Sequence, residues 1–462
     1  MLFPSTIFMF VFAPITIVGY WLLRNDRIRR LWLTVASYIF YGYWDWRFTS
    51  LMFIASVVNY YGSLRISRAR TERERKLWLV LALAGSLALL GYFKYFMLLL
   101  TTLNVLSRWT VGGELVHVWN IILPIGISFF TFQAMSYTID VYRKQVDPTS
   151  DFIEFACFVA LFPQLIAGPI VRYRWISDTL RNLPSRLSIE NLNLGLFYFT
   201  LGLVKKVLVA DRIAYYIDPM FLSYQNLAPV EAWLAIIGFS LQLYFDFAGY
   251  SLMAIGLGHL LGIQFPQNFN SPYQAVSISD FWRRWHITLS TWLRDYLYVP
   301  LGGRENRAVA LAVTMLLGGL WHGAAWTFMI WGAFHAVLLE LHHHLKKFRW
   351  IPRNVVWART GTFLIVTIGW VFFRPPDFEA SWVMLQAMFD VPGFLERVSI
   401  QPGLLVFLAV ALAWAMLAPN GVELIRERKI EPGPAWAVAL GVLTAVCVLL
   451  SGESGPFLYF QF

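Results

Sequence analysis

The sequence is poor in charge and in cysteine, and each shortage excludes a large class of proteins. Only 14% of its 462 residues are Asp, Glu, Lys or Arg, against about 25% in ordinary soluble domains. The two cysteines, Cys157 and Cys447, both lie in apolar stretches. They offer no disulfide framework, no CxxC pair and no metal-ligand spacing. A GxSxG elbow, a P-loop and an HExxH helix are also missing. The run GLGHLLG around His259 has one residue too many for GxGxxG and no strand before it. These absences favour chemistry on a bound substrate over a covalent intermediate on the protein.

What is present is apolar surface. Hydrophobic residues make up 58% of the chain, and the mean hydropathy is +0.57. Runs long enough to span recur from end to end, about 20 residues being enough to cover the hydrocarbon core. The pattern is that of an all-α polytopic membrane protein, read as a single membrane domain over 1–462. The net charge of +10 sits in short loops beside the spans, where cations act as topology signals and not as a nucleic-acid surface. Basic clusters at Arg24–Arg30 and Arg65–Lys76 place the N-terminus outside, with 31–64 a hairpin turning at Tyr43, Trp44 and Trp46. The first span, 4–23, lacks a basic n-region and a cleavage site and is taken as retained.

Further spans are expected at about 78–100, 117–140, 192–210, 355–374, 402–418 and 434–450. The stretch 228–262 is expected to break near Asp246 and Gly249, and 308–341 to bend at Gly318-Gly319. Pro163, Gly168 and Pro169 make 153–170 a re-entrant or surface-lying segment. Residues 276–300 interleave Arg283, Arg284 and Arg294 with Phe281, Trp282, Trp285 and Trp292, an amphipathic interfacial pattern.

The chemistry-bearing residues stand out against this background. Residues 318–336 read GGLWHGAAWTFMIWGAFHA; across 308–341 the ionisable groups are His322, His335 and Glu340. An ionisable group inside a membrane segment points to function, although a core histidine bonded to a carbonyl fits the same small-residue context. His286, in RRWHIT, reads by itself first as an interfacial histidine beside two arginines; the alternative is a neutral general base, since nearby arginines lower an imidazole's affinity for protons. Asp246 suits ion pairing or a direct role. Lys205 and Lys206 suit snorkelling or the holding of an acidic group. His342, His343 and His344 read as a titratable helix end, since three adjacent histidines cannot face one metal from one helix.

Five blocks carry a resemblance: LPIGISFFTFQAMSYTIDVYR (123–143), FPQLIAGPIVRY (162–173), LYFDFAGYSLMAIGLGHLLGIQFPQNFNSPY (243–273), DFWRRWHITLSTWLRDYLYVPLGG (280–303) and the run around His322. With them, and with the aromatic ending FLYFQF (457–462), the chain resembles the membrane-bound O-acyltransferase family in its alginate O-acetylase branch. The resemblance implies about eleven transmembrane helices, with re-entrant and interfacial helices, around a central cavity. It implies His322 as general base and His286 as the residue that orients the reacting groups or stabilises charge near a thioester. Asp246, Tyr250 and Asn268 would hold the pocket, and Arg283, Arg284 and Arg294 would bind the donor.

That donor is expected to be acetyl-CoA, arriving as a substrate; no permanently bound cofactor and no metal is expected. The expected partners are the lipid bilayer, periplasmic polysaccharide acetyltransferase subunits and a polysaccharide synthesis complex, in a bacterial inner membrane with the N-terminus periplasmic. Two alternatives stand beside acetyl transfer to an alginate-like exopolysaccharide. One is D-alanyl transfer from a carrier protein to a teichoic-acid-type route. The other is a proton- or ion-coupled transporter, which inverted repeats with matching broken helices would favour; no such symmetry is visible.

Overall fold

The computed structural model describes all residues except 119–120, 349–353, 396–399, 429–432, 452–456 and 459–462. Residues 459–462 of the aromatic ending therefore lie outside the described residues. Helices and loops account for the described residues, with no β-strand among them. In hydrocarbon a helix satisfies its backbone groups within its own segment, and the long apolar runs take that form. Among the described residues three helical runs, Glu72–Thr110, Ile189–Leu222 and Pro229–Leu261, are long and apolar enough to cross a membrane. Five shorter apolar helices accompany them.

The chain divides into two compact units, 1–196 with 254–266 and 197–253 with 267–462. The first contains α1 (Ala13–Leu22), α2 (Asp26–Asp45), α3 (Thr49–Arg68), α4 (Glu72–Leu90), α5 (Phe96–Thr110) and α6 (Ile127–Tyr142), then α7 (Phe152–Ala160), α8 (Phe162–Leu165), α9 (Tyr173–Arg181) and the start of α10 (Ile189–Leu203). Helices α3, α4 and α6 share a polar clamp. Asn59 donates to Ser86 Oγ at 2.8 Å, and Thr138 donates to Asn59 Oδ1 at 2.7 Å, the interhelical hydrogen bonding expected where lipid supplies no hydrophobic drive. Arg29 is more than a topology signal. Its guanidinium is buried and donates to the carbonyls of Tyr20 (3.2 Å) and Pro184 (2.9 Å).

Two expectations change in this unit. Among its described residues the span placed at 117–140 is helical from Ile127, where Gly126 turns the chain with φ +74°. A Cβ at Gly126 would lie 2.8 Å from the Leu165 carbonyl oxygen, so glycine also permits the approach of α8. The segment 153–170 does not lie on the surface: from Glu154 through Val171 it is buried within the unit. Its prolines and glycines turn a chain packed on all sides.

The second unit holds the end of α10, a wide π-helical stretch Val204–Ala210 and α11 (Asp211–Leu222). After these come α12 (Pro229–Leu261), whose residues from Ala254 onward count with the first unit, then α13 (Ile278–Arg284), α14 (Ile287–Leu293), α15 (Arg307–His322), α16 (Trp326–Lys347), α17 (Val355–Trp370), α18 (Phe378–Phe389), α19 (Pro402–Leu417), α20 (Gly421–Arg428) and α21 (Pro434–Leu450). The expected break at Asp246 and Gly249 is absent: α12 runs unbroken for 33 residues. Gly249 serves packing instead, since a Cβ there would meet the Gly202 carbonyl oxygen at 2.7 Å. Asp246 stays in the helix because Lys206 neutralises it at 2.7 Å, while Lys206 also holds Asp211 at 2.8 Å. Lys206 is thus an internal counter-ion and does not snorkel.

The expected bend in 308–341 is displaced. Gly318 and Gly319 are helical within α15, and the chain turns after His322, at Gly323–Ala325. The glycines make α15 and α16 a tight hairpin. A Cβ at Gly319 would fall 2.1 Å from the Phe328 carbonyl oxygen, and one at Gly332 2.3 Å from that of Met315. The 276–300 segment is also not one interfacial helix. It is α13, a sharp turn at His286 and α14, with Phe281, Trp285, His286 and Leu289 buried. Its aromatic face meets protein.

Candidate active site

The second unit brings His286 and His322 together although 36 positions separate them. Their ring centroids lie 6.3 Å apart at an interplanar angle of 63°, and both side chains are buried. His322 is the last residue of α15, where the hairpin turns. Trp321, Trp331 and Phe373 surround its ring with centroids at 5.0, 5.2 and 5.3 Å.

His286 is placed by backbone and side chain at once. It caps α14 with φ +42°, ψ +55°, a left-handed conformation uncommon outside glycine and found where surrounding contacts over-determine it. The over-determination is visible: Ile287 N–H donates to the Asn268 carbonyl at 2.9 Å, and Asn270 N–H to that of Arg284 at the same distance. The extended chain after α12 is thereby laced to the turn.

The Asn268 side chain then shows that Nδ1 of the imidazole carries a proton. Its Oδ1 accepts from Thr288 N–H (3.3 Å) and Thr288 Oγ (2.8 Å), and its Nδ2 donates to Ser251 Oγ at 3.2 Å. A backbone N–H can only donate, so the atom facing Thr288 is oxygen. That same oxygen lies 3.1 Å from His286 Nδ1, which must therefore carry the proton. In the neutral ring Nε2 is left with the lone pair, and it has no hydrogen-bond partner among the described residues.

One turn of α12 walls the site. Phe247 sits edge-on to His286 at 4.7 Å, and Tyr250 packs against Phe457 at 4.8 Å. Asp246, one residue before Phe247, accepts the Leu458 N–H at 2.9 Å in addition to its contact with Lys206. The ion-pairing role considered for Asp246 is thus the one it fills, and Asn268 is the pocket candidate in direct contact with a histidine.

The three arginines differ. Arg284 is tied to Asp280 (3.0 Å) and the Asn270 carbonyl (3.3 Å), and Arg294 to Asp295 (2.6 Å). Arg283 is exposed and forms no ion pair among the described residues. At the end of α16, Glu340 bonds Arg307 (3.0 Å) and His344 (3.2 Å), while His343 lies 2.9 Å from Arg307. Among the described residues no three His, Cys, Asp or Glu side chains form a metal-holding group.

His335, given no role from the sequence, is a third buried histidine of this region. Its Nδ1 accepts the Trp282 indole N–H at 3.3 Å, and its ring lies 4.7 Å from Trp331, the residue backing His322. Its 13-residue offset from His322 does not predict that adjacency, which depends on the hairpin turning at Gly323–Ala325.

A buried pair of histidines is a group of the kind that carries proton transfer. The model of the MBOAT, membrane-bound O-acyltransferase family, matches residues 20–373. The probable alginate O-acetylase of Azotobacter vinelandii is 40% identical over the whole of both chains, and that of Pseudomonas aeruginosa 41%, again over both in full. A peptidoglycan O-acetyltransferase of Helicobacter pylori is 39% identical over 85% of this chain and 80% of its own. The chain therefore belongs to the membrane-bound O-acyltransferase family, on the branch of the alginate O-acetylases, and is an O-acyltransferase.

Proposed function

We propose that this enzyme transfers acetyl from acetyl-CoA, a substrate and not a resident cofactor, at the cytoplasmic face of a bacterial inner membrane. The acceptor is a hydroxyl on the pathway to a secreted, alginate-like polysaccharide, reached directly or through periplasmic acetyltransferase subunits of a synthesis complex. The basic clusters flanking α2 and α3 support an N-terminus outside, and the helices would form a ring of about eleven spans around a central cavity.

The observation that carries the reading is the buried pair of His286 and His322, with His286 held by Asn268. The acceptor O–H loses its proton to His322 as its oxygen attacks the thioester carbonyl. The new C–O bond forms, the C–S bond breaks, and the proton passes to the departing thiolate. General-base catalysis of this kind contributes roughly 10²–10⁴-fold. His286 orients the reacting groups: in its Nδ1–H form Nε2 accepts and does not donate, which disfavours the charge-stabilising role. Arg283, uncommitted and exposed, suits the anionic phosphates of the donor better than Arg284 or Arg294.

The test is turnover of labelled acetyl-CoA by purified protein in lipid, set beside a D-alanyl-charged carrier. Acetyl release by the wild type and its loss in His322→Ala is the expected result. Equal release by both proteins would remove His322 from the chemistry, and turnover of the carrier alone would replace the donor.

A further inference from the structure

A narrow groove of about 190 Å³ runs between the end of α16, the start of α17 and the first residues of α13. From Trp357 to Ile365 it follows α17 for about 12 Å at the helical rise. Ile278, Leu338, Leu341, Leu345 and Ile365 make its wall apolar. The two hydroxyls in that wall are bonded to their own helices. Ser277 Oγ accepts the Asp280 N–H at 3.2 Å, and Thr362 Oγ1 donates to the Ala358 carbonyl at 2.7 Å. Gly361 gives the groove its depth. The glycines of the α15–α16 hairpin admit a close helix, but a Cβ at Gly361 would have no neighbour within 4 Å among the described residues. Glycine within a helix is less stable than alanine, and here no described protein contact offsets that cost.

One end of the groove is basic. His342 stands in its wall, and Lys346 follows one turn further along α16. Burial, and then the charges of Lys346, Arg307, His343 and Arg283, hold the His342 imidazole below the ordinary histidine value. The neighbouring acids are already paired, Glu340 with Arg307 and Asp280 with Arg284, each at 3.0 Å. His342 and Lys346 form no hydrogen bond or ion pair among the described residues. Residues 341–359 carry Lys346, Lys347, Arg349, Arg353 and Arg359 and no Asp or Glu. That is the composition of the cytoplasmic end of a span, where the leaflet is anionic.

We propose that this groove holds one acyl chain of an anionic phospholipid from the cytoplasmic leaflet, with its phosphate between His342 and Lys346. The volume is below the roughly 300–1,000 Å³ of pockets for drug-sized ligands and suits a single chain. A wall whose hydroxyls are already bonded offers nothing to a sugar or a nucleotide base, whereas a methylene chain needs no polar partner. The cations at one end match a phosphodiester, and a zwitterionic headgroup would bring a like charge of its own to them. Arg283 is left to the donor. The lipid would brace the start of α13, the helix that leads through Trp285 into the turn at His286. The inference stands apart from the acyl-transfer reading, since neither His342 nor Lys346 is placed at the reaction.

The experiment is native mass spectrometry of the full chain released from nanodiscs that contain phosphatidylglycerol and phosphatidylcholine with identical acyl chains. Phosphatidylglycerol is expected to bind about tenfold more tightly, near 1.4 kcal/mol. Replacing both cations, as His342→Gln with Lys346→Gln, should remove most of that preference. Gly361→Leu puts a side chain into the groove where its Cβ meets no described atom, and should weaken both lipids without lowering the melting temperature. Saturating acetyl-CoA should leave the bound lipid in place. Equal binding of the two lipids, or a preference that survives the double glutamine variant, would overturn the proposal. Displacement of phosphatidylglycerol by acetyl-CoA would overturn it too, and would give the basic end to the donor. The glutamine pair replaces no fully buried side chain, so it carries the test even where Gly361→Leu fails to fold.

Discussion

Asn268 Oδ1 lies 3.1 Å from His286 Nδ1 and receives two further hydrogen bonds from Thr288. That one oxygen fixes both the tautomer and the orientation of a fully buried imidazole. Asn268→Leu should therefore lower kcat by about 10²-fold, the cost of misplacing a reacting group by about 1 Å, with little change in KM. Steady-state kinetics in proteoliposomes checks it; an unchanged kcat would leave Asn268 as mere loop structure.

His322→Ala should remove acyl transfer by roughly 10²–10⁴-fold while the purified protein stays monodisperse. His286→Ala should lower activity strongly as well. Near-normal turnover in the His322 variant would refute its role as base.

Arg283→Gln is expected to raise the apparent KM for acetyl-CoA without lowering kcat, because this side chain is exposed and uncommitted. Arg284→Gln should instead lower thermal stability, since it loses bonds to Asp280 and the Asn270 carbonyl. Identical behaviour of the two variants would contradict the distinction.

The hairpin of α15 and α16 permits a graded test. Gly319→Ala places a methyl 2.1 Å from the Phe328 carbonyl oxygen, whereas Gly318→Ala meets only Leu293 Cδ1 at 3.1 Å. The first should destabilise by about 1–3 kcal/mol or more and the second far less, read as melting temperature in detergent. The order of the two is the prediction.

Lys206→Met strands Asp211 and Asp246 without their counter-ion. Breaking a buried ion pair from one side costs about 3–5 kcal/mol, so the variant should melt markedly lower or fail to accumulate. Adding Asp211→Asn and Asp246→Asn should restore much of the loss. No rescue would mean that the lysine matters for a reason other than charge balance.

Much of this was legible in the sequence because it is local. Apolar length specifies helices, and α17, α19 and α21 fall where the runs lie. An imidazole among glycine, alanine and tryptophan marks His322 wherever the chain goes, and the five dense blocks carry the family. Local pattern failed where a residue's meaning depends on a distant partner. Gly249 and Gly318-Gly319 look like breaks until Gly202 and Phe328 are seen against them. Asp246 looks like a helix breaker until Lys206, 40 positions earlier, meets it at 2.7 Å.

The sequence by itself determined the solvent of the chain, its helical class and the histidine to watch, since hydrocarbon forces internally bonded backbone and makes ionisable groups conspicuous. Only the tertiary structure decided which glycines are contacts and not hinges, which acid is neutralised, and which nitrogen of His286 bears the proton. Those answers are distances between side chains far apart in the chain, and neither periodicity nor composition encodes a distance.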